Sequence, residues 1–425
     1  MSKLEVDAIE PQSGTTLTLG ASGDTITIPS GATLTGTGAG LIWQSVQTTG
    51  FTASAGNAYP CNTTSAGFTV TLPTSPSVGD QIQLLDYAGT WDTNNLTINP
   101  NGENIIGQGS NVIAVKEREA ITLTYIDATQ GWLSSSGYQE GTQGLAIPYS
   151  IDFLVIAGGG SGTNVSNNSG GTGGGGGAGG YRTSTQTVNP GTVITVTVGD
   201  GGASSTVASA SGNNGSDSSI SGSGLTTITS AGGGGGGAWS ATAGLSGGSG
   251  GGSSGTGTGG GSGNTPNTSP SQGNDGGNGE PATTGAGGGG GAGAVGGNGT
   301  SPQSGAGGNG TASSITGSSV TRAGGGGGGG GGSSSAGAGG SGGGGAGGAA
   351  NNAGIAGTAN TGGGGGSGGT GSGTPRDSGA GGKGVVILSM PDASYSGTTT
   401  GSPTVATGVS GKTVLTFTGS GSYTT

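Results

Sequence analysis

Outside its glycine-rich middle, the chain alternates apolar and polar residues with a period of two, which predicts short β-strands. The first are Thr16-Leu17-Thr18-Leu19, Thr25-Ile26-Thr27-Ile28 and Thr33-Leu34-Thr35, with turn formers between them. The steps from Leu17 to Ile26 and from Ile26 to Leu34 are nine and eight residues. Each strand has one face to bury and one to wet, and such short units cannot bury that face alone. Residues 1–42 therefore read as a β-rich attachment or stalk segment in which several chains share a core. A mobile arm with incidental alternation is the other reading.

Residues 43–137 predict a compact β-sandwich. Its candidate strands are Phe68–Leu72, Gln81–Leu85, Leu96–Asn99, Val112–Val115 and Ala120–Tyr125, separated by Pro73, Pro76, Gly79-Asp80, Asn101-Gly102 and Gly109. Strands at this spacing with turn signals between them are the mark of a sandwich. Trp43, Trp91 and Trp132 fall here and read as core and rim anchors. Cys61 reads as a small buried hydrophobe, and Lys116-Glu117-Arg118-Glu119 as a solvated turn. Residues 138–150 read as a linker.

A different pattern begins at residue 151. The apolar strand Ile151–Ala157 runs into Gly158-Gly159-Gly160, and strands at Val193–Val198 and Lys383–Ser389 bracket the following stretch. Between residues 158 and 384 lie 91 of the 116 glycines, about 40 % of that stretch. They gather in runs at 173–177, 232–237, 287–291, 324–332, 342–345 and 362–366, separated by Ser, Thr, Asn and Pro. Residues 391–425 end in one more strand, Thr413–Thr418, and read as a C-terminal β tail. No segment predicts an α-helix.

Three states compete for the glycine runs. Collagen needs glycine at every third position and abundant proline, which nine consecutive glycines at 324–332 rule out. A flexible Gly/Ser linker fits the composition. Against it stand the flanking strands and the aliphatic interruptions Ile220, Leu225, Ile228, Ile315, Val320 and Ile355. The third state is a bundle of extended threefold polyglycine-II helices, rising about 3.1 Å per residue. Such a helix bonds only laterally, and one enclosed by others has no space for a Cβ. On that reading residues 324–332 form a central strut roughly 28 Å long, and residues 151–390 form an all-β plus polyglycine-II domain.

Composition removes several functions. Charged residues are 6 % of the chain, and 19 acidic against 8 basic residues give a net charge of -11. Without a basic patch, nucleic acid is not an expected partner. There is no histidine and one cysteine, Cys61, which excludes intrachain disulfides, Cys/His metal sites and a histidine general base. A lone cysteine fits synthesis in a reducing cytoplasm. The N-terminus lacks the apolar core of a signal peptide, and no run of 18 apolar residues would span a membrane. Asp275 and Glu280 are the only acidic pair in the glycine loops and read as solvated charges, not a glycosidase pair. "GGKGVV" precedes a strand, not the helix of a phosphate-binding loop. The expectation is a non-catalytic protein with no metal and no cofactor.

The strings "FLVIAGGGSG", "GGGGGAGGYRT", "VITVTVGDGG", "AGGGGGGAWS", "GSSVTRAGGGGGGG", "NTGGGGGSGG" and "GGKGVVILS" resemble the glycine-rich domain of tailed-phage fibre proteins. A related architecture is the polyglycine-II sandwich of tail-fibre-tip adhesins in T-even-like phages. "MSKLEVDAIEPQSGTTLTLG", "FTVTLPTSPSVGDQIQLLDYAGTW" and "GKTVLTFTGSGSYT" are similar to other parts of such fibres. The resemblance implies a homotrimeric virion tail fibre or adhesin, assembled in host cytoplasm and joined to other tail proteins by its N-terminal segment. Its partner would be a host-surface polysaccharide or outer-membrane protein. In the tip adhesins, loops joining the glycine helices bind the host. The matching candidates here are Trp239, Pro266, Asn267, Asn274, Asp275 and Arg376. A purely structural fibre or spacer, with the adhesin on a partner, is the alternative.

Overall fold

The computed structural model describes residues 40–134, 145–165, 171–207, 210–238, 242–257, 259–280, 285–300, 302–331, 334–371 and 376–425. The stalk segment expected over residues 1–42 lies almost wholly outside them. The described residues are all-β, and their only helical element is one 3-10 turn, Asp392–Ser394. No helix among them is long and apolar enough to cross a membrane. The chain divides into two compact units, residues 1–146 and 147–425.

The first unit holds two five-stranded sheets. One contains β1 (Ile42–Trp43), β3 (Asn57–Cys61), β5 (Gln81–Asp86), β8 (Ala120–Asp127) and β9 (Gly131–Ser134). The other contains β2 (Phe51–Thr52), β4 (Thr69–Thr71), β6 (Leu96–Asn99), β7 (Val112–Ala114) and β10 (Leu145–Ala146). All five sequence-derived strands are present. The chain changes sheet at every strand from β1 to β6, so β1, β3 and β5 pair in parallel, as do β2, β4 and β6. The later strands close both sheets with antiparallel pairs. Period-two alternation buries Ile82, Leu84, Ile121 and Leu123 on one sheet and Leu96 and Ile98 on the other. Trp91 and Trp132 are fully buried, whereas Trp43 on edge strand β1 is 56 % exposed.

The turn expected at residues 116–119 needs correction at its last residue. Lys116, Glu117 and Arg118 are exposed, but Glu119 is buried, and burial raises its carboxyl pKa. The turn is held down by the neighbouring Asp86, whose carboxylate accepts backbone N–H bonds from Gly89, Thr90, Trp91 and Arg118. That carboxylate draws the turn onto the sheet.

The second unit has two further five-stranded sheets at one end. The first runs β12 (Tyr181–Val188), β11 (Tyr149–Ile156), β18 (Val385–Pro391), β21 (Lys412–Phe417), β20 (Thr404–Val409). The second runs β15 (Ile228–Ser230), β14 (Ser218–Ser221), β13 (Val193–Thr197), β22 (Gly421–Thr424), β19 (Thr399–Thr400). A separate hairpin joins β16 (Thr311–Ser313) to β17 (Val320–Arg322). The expected C-terminal tail thus supplies strands to both sheets.

From Phe153 to Ile156 β11 is buried on both faces, which explains the apolar run there. Phe153 and Val155 join Val386, Leu388, Ile194, Val196 and Tyr423 in one cluster. Leu154 and Ile156 join Val385, Ile387, Ala178 and Ala323 in another.

From these strands the glycine segments extend away from the sheets, and the hydrogen-bond step changes. β11 and β12 pair residue by residue up to Ile156 and Tyr181. Beyond them Ala157 N–H donates to Gly180 O, and the next bond of that pair runs from Gly160 N–H to Gly177 O. The repeat has become three.

The longest run shows why. N–H groups of Gly324, Gly327 and Gly330 donate to the carbonyls of Gly342, Gly345 and Gly348. Those of Gly325 and Gly328 reach Gly308 and Gly305, and those of Gly326 and Gly329 reach Gly176 and Gly173. Its carbonyls accept from three more segments, through Gly364, Ser367 and Thr370, through Gly340 and Gly337, and through Gly289. Six neighbouring segments enclose it, and Gly324–Gly331 is buried throughout. The residues 173–180 are enclosed in the same manner, donating to Gly237, Gly234 and Ala231 on one side, Gly287 and Gly290 on a second, and Gly365 and Gly362 on a third.

This packing leaves no room for side chains. A Cβ at Gly327 would lie 2.1 Å from Gly337 O, and one at Gly326 2.1 Å from Gly365 O. Backbone carbonyls cannot yield as a side chain would, because moving one breaks bonds on several segments. Gly327→Ala is expected to destabilise the second unit by about 3 kcal/mol or more, at the severe end of overpacking. Gly259→Ala, whose Cβ would meet only the Ala243 methyl at 3.9 Å, should change stability by less than about 0.5 kcal/mol. Urea denaturation of the two variants checks the contrast.

Candidate functional site

The glycine segments have a sheet end and a far end, and the sequence-derived candidates do not gather at one of them. Trp239 lies outside the described residues. Pro266 and Asn267 lie at the sheet end, in a loop tied to the root of β12. Tyr181 N–H donates to Gln272 O at 2.8 Å, and Ala231 N–H to Gln272 Oε1 at 2.8 Å. The loop folds around Asn264. Its Oδ1 accepts from the Thr268 N–H and hydroxyl and the Gln272 N–H, and its Nδ2 donates to Asn267 Oδ1 at 2.7 Å. Pro266 O accepts from Gln272 Nε2 at 2.8 Å.

Asn274 and Asp275 lie within a glycine segment, with their side chains already engaged. Asn274 Nδ2 donates to Gly291 O and Ala292 O, and Asp275 Oδ1 accepts from Gly263 N–H at 2.7 Å. The physical reason is the edge of the bundle. An outer segment lacks some of the six neighbours, and an Asn or Asp oxygen takes the place of the missing carbonyl. The device recurs at a spacing of three. Asn214 and Asp217 accept from Gly235 and Gly232, and Asp275 and Asn278 accept from Gly263 and Gly260. Sequence reasoning missed these edge residues. The signal that could have found them is Asx-x-x-Asx in "NGSD" and "DGGN", which matches the repeat of the segments they border.

Arg376 lies at the far end. Its N–H approaches Val165 O at 3.4 Å, and the adjacent Asp377 accepts from Asn164 Nδ2 at 3.3 Å. Thr163 donates its hydroxyl to Gly174 O and Gly237 O. Gly255 N–H reaches Thr172 O, and Thr370 N–H reaches Gly330 O. The ends of several segments therefore converge. Among the described residues, Asn164 Oδ1, Ser254 Oγ, Thr370 Oγ1 and Arg376 Nε there are buried atoms without a hydrogen-bond partner. Buried polar atoms are nearly always paired, so four orphans at one end make it the candidate site. Two are acceptors-or-donors, one an acceptor and one a charged donor, and all four atoms are enclosed.

Among the described residues no group of three or more His, Cys, Asp or Glu could hold a metal ion. Cys61 is fully buried in the first unit, and burial, helped by Asp86, pushes its thiol up to about 12. It is a core residue, as its sequence context indicates.

A family profile described as a glycine-rich domain matches residues 134–391, more than half of the chain. No curated protein matches the chain.

The thiolate is the reactive form of cysteine. Iodoacetamide at pH 8 is therefore expected to leave Cys61 unlabelled in the folded protein and to label it fully in concentrated urea. Mass spectrometry of the intact chain reads both outcomes.

Proposed function

Because the chain belongs to the glycine-rich domain family, and its glycine segments end in a cluster of unpaired polar atoms, we propose that it is a virion tail fibre protein that attaches to the host surface. The cluster at Asn164, Ser254, Thr370 and Arg376 carries the reading. A rigid bundle holding such groups at the end farthest from its sheets is suited to binding and needs no catalysis. In this reading the segments are polyglycine-II helices. The three-residue hydrogen-bond repeat and the six neighbours support that, because a threefold helix directs successive peptide groups along three lateral directions.

The partner is a host-surface polysaccharide or outer-membrane protein, and residues 1–42 join the chain to other tail proteins. The working form is a homotrimer in the virion. Edge strand β1 supports the assembly, with Ile42 and Trp43 both exposed; an apolar open edge is a surface that further copies can cover. A purely structural fibre is the competing reading, and it predicts no host binding by this chain.

Fluorescently labelled full-length protein, titrated onto intact candidate host cells, separates them. Saturable binding, reduced at least tenfold by Arg376→Ala with unchanged melting, supports the adhesin and its far-end site. Absence of binding to every host that the parent virion adsorbs to, by protein shown to be folded, leaves the structural role.

A further inference from the structure

A second binding feature lies at the opposite end, on the sheet led by β12. The outer face of that sheet is apolar beside the glycine segments, where Leu154, Ile156 and Ile387 are covered. Farther along the same face it turns polar. There a cavity of about 460 Å³ is lined by Asp152, Thr183, Thr185, Ser389 and Lys412, with Ile315 and Val409 at its side. A second cavity of about 340 Å³ is lined by Tyr181, Arg182, Ser269, Pro270 and Ser271. Both volumes fall within the range of small-molecule sites. The two cavities share Thr183 and Ser184, so they form one groove across β12.

β12 is an edge strand. Tyr181 N–H points outward to Gln272 O, and antiparallel alternation then turns the peptide groups of Thr183 and Thr185 outward as well. Among the described residues those outward groups have no backbone partner. The groove therefore offers backbone donors and acceptors at its centre and hydroxyls on both sides.

Its charge is nearly balanced. Lys412 Nζ lies 2.5 Å from Asp152 Oδ2, and Thr185 donates its hydroxyl to Asp152 Oδ1 at 2.6 Å. The lysine and threonine bonds hold the Asp152 carboxyl below its ordinary value, so at neutral pH it is ionised and cancels the lysine. Arg182, which donates to Thr229 O at 3.3 Å, is the one other charged residue lining either cavity.

We propose that this groove binds a linear, neutral oligosaccharide laid across β12. Thr183 and Thr185 already donate their hydroxyls to Phe153 O and Asp152 Oδ1, so towards a sugar hydroxyl they act as acceptors, and a fixed Asp–Lys pair offers an acceptor beside a donor to a vicinal diol. Ile315, Val409 and Pro270 supply apolar surface for the C–H faces of the rings. This site is separate from the far-end cluster and does not depend on it.

The test is saturation-transfer NMR and calorimetry on the full-length protein, with linear hexasaccharides of glucose, mannose and N-acetylglucosamine as probes. Saturable binding of at least one is expected, unchanged between low and high NaCl because a neutral ligand feels no screening. Thr183→Val and Asp152→Asn should each weaken it at least tenfold, while Arg376→Ala leaves it intact. Melting curves show whether the variants remain folded. The proposal is overturned if no hexasaccharide binds to the folded protein. It fails equally if binding ignores both groove substitutions, if only anionic sugars bind and salt abolishes the binding, or if an extended peptide occupies β12 in place of sugar.

Discussion

The second unit depends on one constraint, that a peptide group removed from water must find a peptide group or an equivalent to bond to. In most domains side chains fill the interior and the backbone satisfies itself within helices or sheets. Here the interior is backbone. Gly324–Gly331 is buried with scarcely a side chain in contact, and its bonds go to six segments drawn from distant parts of the sequence. The hydrophobic effect contributes little in that region, because there is little apolar area to remove from water. Cohesion comes from lateral bonds worth about 0.5–1.5 kcal/mol each net, with close packing that a single methyl would disrupt.

Such a lattice specifies its register poorly, since one glycine resembles the next. The sheets resolve this. β11 and β12 are locked by Phe153, Val155 and Ile156 on two apolar faces, and the segments leaving them inherit their alignment. β18 fixes the returning end, and the last strands tie both sheets together. Thr425 continues that tie, exchanging backbone bonds with Gly191 and Thr192. The apolar strands are therefore the part of the sequence that sets where every glycine falls.

Much of this was legible in the sequence. The strands at Ile151–Ala157, Val193–Val198 and Lys383–Ser389 announce themselves by apolar content, and five of the ten described strands of the first unit by alternation. The enclosure of the longest run follows from its length, because only glycine tolerates six close neighbours. Other features were hidden for physical reasons. The parallel winding of β1 to β6 is invisible to periodicity, which reports burial on a strand and not the direction of its partner. The division of the candidate loops between two ends was hidden as well. A turn of Asn, Thr, Pro and Ser looks the same at either end of a segment, and only the chain path shows that Pro266 returns to β12 while Arg376 does not. Asn274 and Asp275 resembled ligand-binding residues because edge replacement and ligand recognition use the same side-chain donors and acceptors.

That ambiguity bears on where binding can reside. A side chain that completes the lattice is committed, since withdrawing Asp275 toward a ligand would leave the Gly263 N–H unpaired, at the cost of a lost bond and its desolvation. Polar groups free to bind must therefore lie where the lattice stops, either past the last hydrogen-bonded residue of a segment or on a sheet edge with outward peptide groups. In the described part of the second unit β12 is such an edge, and at the far end Asn164, Thr370 and Arg376 each keep one side-chain atom without a partner. A scaffold built from backbone bonds thus leaves uncommitted polar groups only at its boundaries, because every interior peptide group is spent on the lattice.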